Sequence, residues 1–123
     1  MSTVLVVALG SGLGGALRYL AGLFLQRPGL NFPVATLAVN ILGSFALGLA
    51  LRIGLDPTAM SASTRAFLTA GVCGGFTTFS TFSVESLALL EQGAWGRGLL
   101  YMIGSVVLSV GAAAVGYGVG ARG

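Results

Sequence analysis

Gly74-Gly75-Phe76-Thr77-Thr78-Phe79-Ser80-Thr81-Phe82-Ser83 lies inside an apolar stretch running from Ala66 to Leu90. It combines a helix-weakening Gly pair with hydroxyls and phenylalanines at helical spacing. In hydrocarbon an interrupted helix survives only where the freed backbone groups face protein, water or an ion, so a Gly/Thr break at this depth marks a functional centre rather than a plain anchor. Phe76, Phe79 and Phe82 follow at i, i+3, i+6, and Thr78, Thr81 and Glu85 run along an adjacent face. Other apolar runs carry two more polar stripes, Thr36/Asn40/Ser44 and Tyr101/Ser105/Ser109, each at i, i+4, i+8. A single Ser or Thr usually bonds the backbone carbonyl four residues earlier. Three coincident stripes are expensive in lipid and point to a partner or a water-filled path.

The donors favour an anion. Hydroxyls and the Asn40 amide can donate hydrogen bonds, and a phenyl ring carries partial positive charge on its edge. A small anion needs such donors densely placed, because moving even a carboxylate-sized ion into low dielectric costs on the order of 20 kcal/mol in the idealised limit. Other chemistries are poorly supplied. There is no His, and the three acids Asp56, Glu85 and Glu91 form no metal or glycosidase constellation. Cys73 is the lone cysteine, which excludes an internal disulfide, a thiolate cluster and a CxxC pair and reads as a small buried apolar residue. Gly10–Gly15 and Gly118–Gly123 formally match GxGxxG, yet neither follows a strand, so a dinucleotide site is not expected.

The elements that position these stripes are membrane spans. The chain of 123 residues is 55% hydrophobic and 7% charged, against roughly 25% charged in soluble domains. Four apolar runs of the ~20 residues that cross a hydrocarbon core fall at 3–25, 33–51, 64–90 (broken near 74–78) and 96–120. They form a single four-helix transmembrane domain over 1–123, with almost nothing left for a soluble one. Met1–Leu5 lacks a basic n-region, and the first run exceeds a signal-peptide core, so the N-terminus is expected to stay in the mature protein. The net charge of +3 comes from scattered arginines, which make neither a nucleic-acid patch nor a polybasic lipid-binding tail.

Four spans place both termini on one side, with Arg52, Arg65 and Arg122 there, Arg27 and Arg97 opposite, and Arg18 too deep to assign. This imbalance is too small to fix orientation, so insertion both ways is expected. Gly10/Gly14, Gly71/Gly75 and Gly116/Gly120 fit the small-xxx-small pattern of close helix approach, either within one chain or between antiparallel copies.

These residues carry a resemblance. The segment Gly74–Phe82, with Gly14-Gly15-Ala16-Leu17-Arg18-Tyr19 and Asn40-Ile41-Leu42-Gly43-Ser44, resembles the Fluc (CrcB-type) fluoride channels in length, span count and motif order. The resemblance implies an all-α, dual-topology antiparallel homodimer in the bacterial inner membrane. It further implies two fluoride pathways beside a central sodium ion held by the backbone carbonyls of Gly74 and Thr77. By the same resemblance Phe79 and Phe82 are pore rings and Asn40 the pore asparagine, while Ser80, Thr81, Tyr101, Ser105 and Ser109 form a hydroxyl track. Glu85 matches an acidic position of that helix, and Arg18 and Gly75 match structural positions. The implied function is passive fluoride export, without enzymatic activity. Two alternatives are a small four-span multidrug or cation exporter, which needs a first-span carboxylate where this chain has Arg18, and a fluoride/proton antiporter, which Glu85 keeps open. A non-transporting scaffold would leave the polar stripes without a purpose.

Overall fold

The computed structural model describes residues 2–122. Helix α1 (Thr3–Leu25) starts where the Ser2 hydroxyl accepts the Leu5 N–H, a polar N-cap that satisfies one of the free donors of a first turn. It stops at Gln26, which is extended, and Arg27-Pro28-Gly29 comes next, with Gly29 at φ 87°. The Gln26 side chain donates to the Phe32 carbonyl at 3.1 Å and accepts from the Ala35 N–H at 3.2 Å, tying the end of α1 to the start of α2 (Val34–Ile53).

The third span, Ala62–Glu91, is composite. Ser61 caps a short α3 (Ala62–Ala66), a π-helical segment covers Phe67–Cys73, α4 (Gly74–Phe76) adds one more turn, and α5 (Phe79–Glu91) resumes after Thr77 and Thr78. Gly93, at φ 77°, closes the turn into α6 (Trp95–Arg122). Four segments are therefore long and apolar enough to cross a membrane, and their ends lie within two residues of the sequence expectation. The break falls within the expected 74–78. The Gly pair stays helical, and the interruption falls on Thr77 (φ −89°, ψ 157°) and Thr78 (φ −148°, ψ 122°). Threonine suits that place because its β-branched chain tolerates extended backbone and its hydroxyl caps the next helix: Thr78 Oγ1 accepts from Thr81 N at the start of α5.

The spans pair in parallel, first with third and second with fourth. Gly10 and Gly14 of α1 lie against the backbone at Phe67, Gly71 and Val72, and Gly75 lies against Ser11 and Gly15. On the other pair, Gly48 faces Ala113, Gly116 faces the Phe45 carbonyl, and Gly120 faces Arg52. A Cβ on Gly14, Gly48 or Gly116 would overlap a backbone oxygen of the facing helix. The small-xxx-small motifs thus serve packing inside one chain. This pairing gathers the starts of α1 and α3 and the ends of α2 and α6 at one end of the bundle, bringing Arg52, Arg65 and Arg122 there, with Arg27 and Arg97 at the other. Within the site-bearing helices, Ser86 is buried and donates to the Phe82 carbonyl at 2.7 Å.

Candidate functional site: a polar pocket at the helix break

The interruption after α4 frees backbone groups, and specific side chains take them. Asn40 Nδ2 donates to the Thr78 carbonyl at 3.1 Å, and its Oδ1 accepts from the Thr78 N–H at 2.9 Å, so one amide of α2 replaces both lost helical partners. Arg18 Nε donates to the Gly75 carbonyl at 3.1 Å. Thr77 turns its hydroxyl back to the Cys73 carbonyl at 3.0 Å and rests its methyl on Gly43, where a Cβ would collide with it. The break is braced from both α1 and α2, and therefore holds its shape.

Beside it opens a pocket of about 240 Å³. Asn40 and Ser44 enter from α2, Thr77 and Thr78 from the break, Phe79 and Phe82 from α5, and Ser105 and Ser109 from α6, with Leu47 and Val106 supplying apolar wall. Ser105 is 5% exposed, and the Oγ atoms of Ser105 and Ser109 are buried without a hydrogen-bond partner among the described residues. A buried hydroxyl left unpaired costs ~1–3 kcal/mol. These two donors are available to whatever occupies the pocket. The Phe79 and Phe82 rings lie with centroids 5.6 Å apart and planes tilted by 46°, and Phe79 is 77% exposed.

The expected residues divide among three places. Asn40, Phe79, Phe82, Ser105 and Ser109 share the pocket. Thr81 lines a second cavity of about 190 Å³, together with Arg18, Tyr19 and Thr36, and Thr78 borders both cavities. Ser80 is exposed and lines neither, although its hydroxyl lies 3.5 Å from that of Thr78. Tyr101 and Glu85 also stand outside the pocket: Tyr101 is fully buried, its OH donates to Glu85 Oε1 at 2.9 Å, and its ring lies 5.2 Å from that of Phe82. Two spacing-based expectations change here. Phe76 does not join Phe79 and Phe82, because the extended residues between them reset the helical phase, and it lies instead near Gly43 and Gly14. The Thr36/Asn40/Ser44 stripe is likewise split, Thr36 facing the second cavity. Sequence spacing passed over Thr77 as a prop for Gly43; its signal was the Gly three residues past Asn40.

Comparison with known proteins identifies a family. The family described as "CrcB-like protein, Camphor Resistance (CrcB)" matches residues 5–117. A protein of Thermus thermophilus named "Fluoride-specific ion channel FluC" is 50% identical over 121 residues, covering 98% of this chain and 96% of the relative. Proteins of the same name from Methylobacterium sp. (strain 4-46) and Agrobacterium fabrum are 45% and 43% identical, with coverage of 96% or more on both sides.

Proposed function

This chain belongs to the CrcB-like family, and from that premise we propose that it is a fluoride-specific ion channel, a multi-pass protein of the bacterial inner membrane that lets fluoride leave the cytoplasm passively. The observation that carries the reading is the meeting, in one pocket, of two unpaired serine hydroxyls and two phenyl rings. Hydroxyl donors and ring edges can replace the hydration shell of a small anion, and once a second copy narrows the pocket a larger one is refused for lack of room. Protein reconstituted in liposomes should release fluoride, followed with an ion-selective electrode, and retain chloride. Absence of fluoride flux, or chloride flux equal to it, would sink the proposal. The cation-exporter alternative is not favoured: α1 carries no carboxylate to exchange protons for a cationic substrate.

Completion of the pathway calls for a second copy. A pocket of this size, open beside a phenylalanine that is 77% exposed, is wider than a small anion can use, and polar lining facing lipid would be costly. An antiparallel homodimer closes it, consistent with the near-balance of arginines between the two ends.

Sodium is the proposed structural cofactor of that dimer. Outside the regular helices, the turn, cap and side-chain hydrogen bonds among the described residues leave the Gly74 and Thr77 carbonyls untouched, and Gly74 is exposed. No group of three or more His, Cys, Asp or Glu is present among those residues to suit a divalent ion, so carbonyl oxygens alone fit a monovalent cation. Bound there, the ion would neutralise carbonyl dipoles that hydrocarbon cannot solvate. Prolonged exchange of sodium for a large organic cation should lower both fluoride flux and dimer stability; indifference of both would exclude the site.

A further inference from the structure

The aromatic residues continue past the pocket. From the break, Phe79, Phe82, Tyr101 and Phe32 succeed one another with centroid separations of 5.6, 5.2 and 5.5 Å, the last pair edge to face at 81°. The line runs from the middle of the bundle to the end where α1 gives way to α2, because α5 heads that way, Tyr101 sits near the start of α6 and Phe32 lies just before α2. At that end Asn31 and Arg97 are both exposed, and because a guanidinium can only donate, the Asn31 amide atom facing it is assigned as the oxygen, which then accepts from Arg97 Nη2 at 3.0 Å. Asn31 therefore fixes a guanidinium next to the last ring. Its partner is an amide rather than a carboxylate, so the contact leaves the positive charge uncancelled. The helices α2 and α6 both begin here, and their N-terminal dipoles add the same sign.

We propose that Arg97, positioned by Asn31 beside Phe32, is the residue that gathers fluoride at this mouth of the pathway. The inference rests on the fluoride reading above. Its role is electrostatic: a fixed cation at an entrance raises the local concentration of a mobile anion without touching the selective part of the path, and the effect fades as salt screens it. Glu91, exposed at the end of α5, and Glu85, engaged with Tyr101, are the negative groups on this half, which makes an anion-attracting charge at the rim more consequential.

Initial fluoride efflux from liposomes is compared at low and high concentrations of an impermeant salt with sodium held constant. Arg97→Gln should lower efflux about threefold at ~10 mM ionic strength, where the Debye length is about 30 Å, and converge on the parent near ~1 M, where it is about 3 Å. Arg97→Lys keeps the charge and should retain the parent's rate and salt response. Arg97→Glu reverses the charge and should lower efflux further than Arg97→Gln at low ionic strength. An Arg97→Gln rate equal to the parent's, a loss independent of salt, or an Arg97→Glu rate no lower than that of Arg97→Gln at low ionic strength would overturn the assignment. A parent without fluoride flux would overturn the channel reading instead.

Discussion

Replacing Phe82 by Ile should cut fluoride efflux by at least a factor of ~100, equivalent to about 2.8 kcal/mol in the barrier, while the protein still folds. Ile keeps apolar bulk against Tyr101 and leaves the Phe82 carbonyl to accept the Ser86 hydroxyl, so packing around the ring changes little. What disappears is the positive ring edge, and no side-chain rotation of an aliphatic residue supplies one. Phe79→Ile should show a loss of similar size, since Phe79 is the other ring of the pocket and its exposure leaves the single-chain fold indifferent to it. The readout is efflux per reconstituted protein, with size-exclusion elution as the control for folding. Undiminished efflux in both variants would show that the rings are lining and not ligands.

Biasing orientation should have an effect as large. One end of the bundle carries Arg52, Arg65 and Arg122 with Asp56; the other carries Arg27 and Arg97 with Glu91. Loop charge of so small an imbalance is expected to leave insertion two-way, and three Lys added to the loop around Asp56 should force that end to the cytoplasm. Expressed alone, such a variant should fall to background in protecting cells from fluoride, because an antiparallel pair requires both orientations. A variant carrying the three Lys between Arg27 and Phe32 should be equally silent alone, and the two together should restore activity. Full protection by either biased variant on its own would refute the antiparallel dimer.

The spans were legible because hydropathy and the Arg, Pro and Gly punctuation at their ends reflect the solvent directly, and Asn40, Ser105 and Ser109 were legible because a polar residue in hydrocarbon is conspicuous. The π-helical segment Phe67–Cys73 was not, since a hydrogen-bond shift from i+4 to i+5 leaves no mark on composition. Within the break expected near 74–78, which residues leave the helix was hidden for a related reason. Glycine weakens a helix but does not end it when a neighbouring helix packs closely on it, as Ser11 and Gly15 of α1 pack on Gly75. The interruption fell instead where Asn40 could take over the Thr78 amide and carbonyl, a tertiary substitution invisible to local spacing. That same engagement changes the meaning of Asn40: part of its hydrogen-bonding capacity is spent on the backbone, so it shapes the pocket as well as lining it.

The pairing of first span with third and second with fourth also dictates a timetable for biogenesis. Neighbours in sequence are not the principal neighbours in space: α2 packs mainly on α6, and α1 mainly on the π-helical segment and α4. As the chain leaves the ribosome, α1 and α2 must enter the bilayer before either has its partner, and the close backbone approaches at Gly48 and Gly116 wait for the last span to be made. Assembly is thus withheld until synthesis is nearly finished. A nascent chain that has not yet locked its helices together is also one whose orientation has not yet been sealed by its own fold, and that delay suits a protein whose copies would have to settle in opposite senses.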